Sequence, residues 1–162
     1  MTLGAVLAGG QSSRFGSDKA LALLDGQTLL TRAVDTLAQW CDAVVVVGRS
    51  EAPAPTIPDW PRAQMGPLGG IAAALRHGAA TGHSEVLTCG VDSVGLPDDL
   101  PARLAPAPAY LADQPVVGLW PASAASDVAA ILDGTGKHSL RALAERLGAR
   151  AVTDRKSTRL NS

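Results

Sequence analysis

The sequence predicts a three-layer α/β/α domain built on a mostly parallel sheet. Three observations lead there. Short apolar runs alternate with segments of helical periodicity along most of the chain, the order that builds βαβ units. The run Ala43–Val47 is four valines after an alanine, ended by Gly48, which reads as a central parallel strand covered on both faces. The first apolar run, Leu3–Leu7, leads directly into a glycine-rich loop, and sheets of this kind hold ligands beyond the carboxyl ends of their strands.

Each element follows from its local pattern. Leu3–Leu7 is the first strand. Thr28–Trp40 carries Leu29, Leu30, Ala33, Leu37 and Trp40 on a helical stripe, with Thr28 as N-cap. After the valine strand, residues 48–66 hold four prolines between Pro53 and Pro61, so a loop is expected there, with a short extended piece at Thr56–Pro58. Gly69–His77 reads as a helix entered through Gly66-Pro67-Leu68-Gly69-Gly70. Glu85–Cys89 is the next strand. Pro97–Leu104 is a short helix with Asp98 and Asp99 in its first turn, where carboxylates suit the helix dipole. Pro115–Trp120 is strand-like, Asp127–Leu132 and Ser139–Leu147 are helical, and Ala149–Thr153 is a final strand. One domain over residues 1–154 is expected. Arg155–Ser162 is polar and basic and continues no hydrophobic pattern, so residues 155–162 read as a disordered or foreign tail.

Composition narrows the function classes. The chain has 162 residues, enough to bury a substantial core, with 46% apolar and 18% charged residues and a formal net charge of −1. There is no basic excess to suggest a nucleic-acid surface. Apolar runs such as Ala43–Val47 are too short to span a bilayer, and the N-terminus has no signal-peptide pattern, so neither a membrane nor secretion is expected. Cys41 and Cys89 stand alone, which suits a reduced, cytoplasmic chain with buried thiols. His77, His83 and His138 have no ligand spacing for zinc.

The chemistry concentrates in the loop after the first strand, Leu7-Ala8-Gly9-Gly10-Gln11-Ser12-Ser13-Arg14-Phe15-Gly16-Ser17-Asp18-Lys19. Glycine lets the backbone approach an anion and turn N–H groups toward it. Arg14 and Lys19 add fixed positive charge for phosphate oxygens. Neither G-x-x-x-x-G-K-[ST] nor G-x-G-x-x-G is present, which excludes the two commonest nucleotide fingerprints. A second site follows the strand ending at Cys89: in Gly90-Val91-Asp92, a carboxylate lies just past a buried strand, where one aspartate can hold Mg²⁺ against substrate phosphates. A third is Met65-Gly66-Pro67-Leu68-Gly69-Gly70, with Asp59 seven residues before Gly66.

The first loop reads L-A-G-G-x-S-x-R-x-G-x-D-K, and all nine specified positions match the signature of nucleotidyltransferases related to molybdenum cofactor guanylyltransferase. The chain is identified as similar to that family from Leu3 to about Thr153, most strongly before Ile71. The resemblance implies the Rossmann-like fold of nucleotide-diphospho-sugar transferases. It implies transfer of GMP from GTP to molybdopterin-bound molybdenum cofactor with release of pyrophosphate, and other molybdenum cofactor proteins as partners. Carried over by position, Leu7, Ala8, Gly9, Gly10, Arg14, Lys19, Asp59 and Asp92 bind the nucleotide, Asp59 at the guanine edge, where a carboxylate accepts well from N1–H and N2–H₂. Arg14, Lys19 and Asp92 are catalytic, and Asp92 holds Mg²⁺. The chain departs from the family pattern at Val47, where relatives often carry asparagine, and at Ser93-Val94-Gly95, where they more often place a proline-aromatic pair. It also lacks their asparagine-rich strand and last helix. Three other activities fit the same fold: a cytidylyltransferase, a sugar-phosphate nucleotidyltransferase, and a non-catalytic nucleotide-binding module.

Overall fold

The computed structural model describes residues 1–8, 23–24, 27–49, 52–60, 67–91, 93, 96–134 and 139–153. Its centre is a seven-stranded sheet of β1 (Thr2–Leu7), β4 (Ala43–Val47), β5 (Thr56–Ile57), β6 (Glu85–Gly90), β7 (Ala109–Leu111), β8 (Gln114–Pro121) and β9 (Arg150–Val152), in the order β5-β4-β1-β6-β8-β7-β9. A separate two-stranded ladder pairs β2 (Leu23–Leu24) with β3 (Gln27–Thr28). β5, β4, β1 and β6 are mutually parallel. β8 runs against both β6 and β7, and β9 is parallel to β7. The sheet is thus mostly parallel, as expected, with one reversed strand.

Alternation along the strands sorts the core into two layers. Leu3, Ala5, Val45, Val47 and Val86 pack with α2 (Pro67–Ala80), α4 (Ala125–Asp133) and α5 (Leu140–Leu147). Val6, Val46, Leu87 and Cys89 face the other way, onto α1 (Leu29–Ala38) and α3 (Leu100–Leu104). This is the three-layer arrangement. Thr28 caps α1 as expected, its Oγ1 accepting from the Thr31 N–H at 3.0 Å, while Ser139, expected within the helix, caps α5, its Oγ accepting from the Ala142 N–H at 3.1 Å.

Several bounds differ from the sequence reading. α2 runs from Pro67 to Ala80 rather than Gly69 to His77, because packing on β1 and β6 sustains a helix through glycines that local propensity penalises. α3 begins at Leu100, not Pro97. The Leu100 N–H bonds back to the Pro97 carbonyl at 3.1 Å, so Asp98 and Asp99 belong to a turn rather than a helical first turn. Pro101, with no N–H to satisfy, sits comfortably at the helix start. Asp99 makes no cap bond and instead pairs with Arg103 at 2.7 Å. The short strands β2, β3 and β7 were not marked by hydrophobic pattern. The expectation for residues 155–162 lies outside the described residues.

The reversed half of the sheet is organised around one indole. Trp120 is buried, and its Nε1–H donates to Thr88 Oγ1 at 3.0 Å, while the Thr88 hydroxyl donates to the Val116 carbonyl at 2.7 Å. Tyr110 stacks on Trp120 with centroids 6.4 Å apart. Thr88→Val keeps the shape and removes the acceptor, leaving a buried indole N–H unpaired. We expect a loss of about 1–3 kcal/mol in urea unfolding with an unchanged m-value; unchanged stability would show that the indole N–H needs no partner.

Candidate functional site

The chain reverses its direction of travel across the sheet at β1. From β1 it crosses by α1 to β4 on one side, then by α2 to β6 on the other. Open α/β sheets bind ligands in the crevice at such a switch, beyond the carboxyl ends of the strands. Because α1 and α2 carry the chain back from that edge, both helices begin there, one on each face of the sheet. The positive ends of their dipoles therefore open toward the crevice.

The register aligns the strand ends. Leu7 lies opposite Val47 on one side and Gly90 on the other, and Val47 lies opposite Ile57. The Ala8 N–H donates to the Val47 carbonyl at 2.9 Å, and the Gly48 N–H to the Ile57 carbonyl at 2.9 Å. Gly48 has φ 92°, a left-handed turn that glycine adopts without a Cβ penalty. Two residues past β5 comes Asp59, and the next N–H, that of Trp60, donates to the Gly69 carbonyl in the first turn of α2 at 3.2 Å. That turn lies against the end of β1: a Cβ on Gly70 would stand 3.1 Å from a Leu7 methyl. Gly70 suits this point because helix and strand approach closely.

Of the predicted site residues, the structure brings together Leu7, Ala8 and the segment bearing Asp59 at one rim. Gly9, Gly10, Arg14, Lys19 and Asp92 lie outside the described residues. The strand ends leading to both of those segments, Leu7 and Gly90, are register partners on adjacent strands. Past β6, Ser93 folds back on Gly90, its Oγ accepting from the Gly90 N–H at 2.9 Å and its N–H donating to the Gly90 carbonyl at 3.2 Å. Ser93 thus closes this segment with a hydroxyl. Sequence reasoning recorded it only as a departure from the family pattern. Trp60 was also missed. Its signal was an aromatic residue immediately after the proposed base-contacting aspartate.

Val47 is 1% exposed and faces the α2 layer, and its carbonyl is engaged by Ala8, so its side chain has no access to a ligand. Cys89 is buried at the end of β6; burial first, and Cys41 second, push its thiol up to about 12. Cys41 is likewise raised to about 12, by burial and then by Asp42. Both stay protonated at neutral pH, which removes them as nucleophiles. Among the described residues, no three His, Cys, Asp or Glu side chains cluster as metal ligands. Among the same residues, no helix is long and apolar enough to cross a membrane.

Cavities lined by described residues include two beside the sheet. One of about 700 Å³ lies under α5, lined in part by Tyr110, Trp120, Leu140 and Arg141, and contains none of the predicted site residues. A smaller one of about 240 Å³ lies between α1 and the segment after β6, where Val91 and Ser93 border it.

Comparison with known proteins places this geometry among its relatives. The family described as MobA-like NTP transferase domain matches residues 4–159. A molybdenum cofactor guanylyltransferase from Acidiphilium cryptum (strain JF-5) is 37% identical over 159 residues, covering 91% of this chain and 81% of that protein. Another from Rhizobium leguminosarum bv. trifolii (strain WSM2304) is 40% identical over 150 residues, covering 85% and 72%. The crystal structure of molybdopterin-guanine dinucleotide biosynthesis protein A from Archaeoglobus fulgidus shares the fold, with TM-score 0.68 and 22% identity over 90% of this chain and 80% of that one. With a family match over nearly its whole length and relatives of this similarity, the chain belongs to the MobA-like NTP transferases.

Proposed function

We propose that the protein transfers GMP from GTP to molybdopterin-bound molybdenum cofactor and releases pyrophosphate. The observation that carries this is the nine-position loop Leu7–Lys19, which leaves the central strand at the switch point of the sheet. Its relatives named molybdenum cofactor guanylyltransferase support the choice of substrates. On this reading the work is cytoplasmic, and other molybdenum cofactor proteins are its partners.

Two anions must meet for this reaction, so charge neutralisation dominates the barrier. The backbone N–H groups of Gly9 and Gly10, with the helix N-termini at the rim, orient the triphosphate; the Ala8 N–H, expected from sequence to join them, is instead held by the Val47 carbonyl. Arg14 and Lys19 neutralise its outer phosphates and stabilise the leaving pyrophosphate. The attacking group is an already ionised phosphate oxygen, so no protein base is needed, in keeping with thiols that stay protonated. Asp59 accepts from the guanine edge. With the Val47 side chain buried, selection of the base falls to that carboxylate and to the backbone.

Mg²⁺ fits the donor chemistry of this rim, since it takes one or two carboxylates together with water and phosphate oxygens and needs no protein cage. Asp92 would hold it, and the ion would offset negative charge between the two phosphates. Asp92→Asn is expected to raise the Mg²⁺ concentration for half-maximal activity by about tenfold or more; an unchanged metal titration would remove Asp92 as the ligand.

The deciding experiment measures pyrophosphate release with GTP or CTP, each with the pterin acceptor. Release with GTP and not CTP is expected. Release with CTP alone identifies a cytidylyltransferase, and nucleotide binding without release identifies a non-catalytic module.

A further inference from the structure

The residue proposed to read the base, Asp59, sits in a short strap whose anchoring is visible in the structure. On one side Ile57 is tied to β4 by pairing with Val47 and by the Gly48 N–H on its carbonyl. On the other, the Trp60 N–H holds the first turn of α2 through the Gly69 carbonyl. The Trp60 ring packs half-buried against the α2 layer of the core. The Arg76 guanidinium covers that ring, its carbon 4.4 Å from the ring centroid. Gly69 and Arg76 are seven residues apart on α2, two turns or roughly 10 Å of rise. A helical side chain leans toward the N-terminus of its helix, so Arg76 reaches back over the ring while the Trp60 backbone holds the turn at Gly69. The residue after Asp59 is therefore gripped at both ends, by a backbone hydrogen bond and by a cation on its π face.

We propose that Trp60 and Arg76 are positioning residues for base selection: the Arg76–Trp60 clamp fixes Asp59 at the rim so that its carboxylate meets the guanine edge of GTP. This rests on the proposed reading of Asp59 as the guanine contact. Arg76 itself acts at a distance, through the indole. Held in place, the carboxylate accepts guanine's two N–H donors without first being ordered. Released, it loses that preorganisation, and GTP weakens toward the level of CTP. Loss of the clamp therefore changes nucleotide affinity and choice, while the phosphate chemistry at Arg14, Lys19 and Asp92 proceeds at its former rate.

The test measures kcat and KM for GTP and the GTP:CTP preference in kcat/KM, in wild type, Arg76→Ala, Arg76→Lys, Trp60→Leu and Asp59→Asn. Thermal denaturation is followed in parallel. Arg76→Ala and Trp60→Leu should each raise KM for GTP about three- to tenfold, lower the GTP:CTP preference by the same factor and leave kcat within about twofold. Arg76→Lys, which keeps a cation over the ring, should recover most of the preference. In an Asp59→Asn background, Arg76→Ala should have no further effect on preference, because the group it positions is gone. Arg76 is exposed, so its variants are expected to fold. A wild-type preference for GTP that survives intact in Arg76→Ala overturns the clamp while leaving the Asp59 reading in place. An Asp59→Asn variant with wild-type preference overturns the base-contact reading and the clamp with it. A lowered melting temperature with unchanged KM and preference assigns Trp60 and Arg76 to stability alone, and also overturns the proposal.

Discussion

Lys19→Ala is expected to lower GMP transfer about 100- to 1000-fold, mostly in kcat, with the fold intact by circular dichroism. As the bond to the α-phosphorus breaks, negative charge accumulates on the departing pyrophosphate. A cation beside the outer phosphates therefore helps the transition state more than it helps bound GTP. An interaction that strengthens in the transition state appears in kcat, whereas one equal in both states appears in KM. Lys19→Arg keeps the charge on a planar, longer head and should restore only part of the rate. Single-turnover assays with saturating GTP separate these outcomes. A rate near wild type for the alanine variant would show that the backbone and Arg14 suffice, and would end the assignment of Lys19 as a catalytic residue. Its expected effect exceeds that of Asp92→Asn at saturating Mg²⁺, because added metal compensates for a weakened ligand and nothing compensates for a deleted charge.

Gly118→Ala is expected to cost about 3 kcal/mol, a large stability loss for a single added methyl group. The Cβ would lie 2.6 Å from one atom of the Trp120 ring and within 2.9 Å of two more. That ring borders a cavity but is held where it stands. It is 1% exposed, its Nε1–H is held by Thr88, and Tyr110 stacks alongside. Gly118 is also the register partner of both Thr88 and Tyr110, so the three strands crowd this one position. A fall in Tm of roughly 10 °C should accompany the loss. Thr88→Val disturbs the same indole, so combining the two should cost less than their sum: a ring already displaced by the new methyl has little hydrogen bond left to lose. A variant that melts like wild type would show that the indole can move aside. Then Gly118 would owe its place in β8 to something other than the ring.

These two variants probe different levels of legibility. The family signature in Leu7–Lys19 was recognisable from residues alone, because its glycines, hydroxyls and cations lie within a few positions of one another, and local spacing is what a sequence displays directly. The valine strand β4 and the N-cap Thr28 were legible for the same reason, since each rests on contacts within one turn or one strand, whereas Ser139 was read only as part of its helix. The strand Ala109–Leu111 was not. Its three residues carry too few apolar positions to establish a period, and it exists because β8 and β9 pair with it from either side. β2 and β3 have two residues each, although the Asp25-Gly26 dipeptide between them is favoured in hairpin turns. The start of α3 was misjudged because carboxylates suit a turn as well as a helical first turn, and the Pro97 carbonyl captured the Leu100 N–H.

The site divides along the same line. Residue types suited to phosphate and to magnesium are written in order along the chain, and that suitability follows from their identity. Which segments share a rim is set by pairings between positions dozens of residues apart. Leu7 meets both Val47 and Gly90, Trp60 reaches Gly69, and Arg76 comes to lie on Trp60. Hydrogen bonding between strands and burial of two apolar layers bring these segments together. Neither leaves a local mark at the residues it joins, so the clamp behind Asp59 emerged only once the helix and the strand were seen side by side.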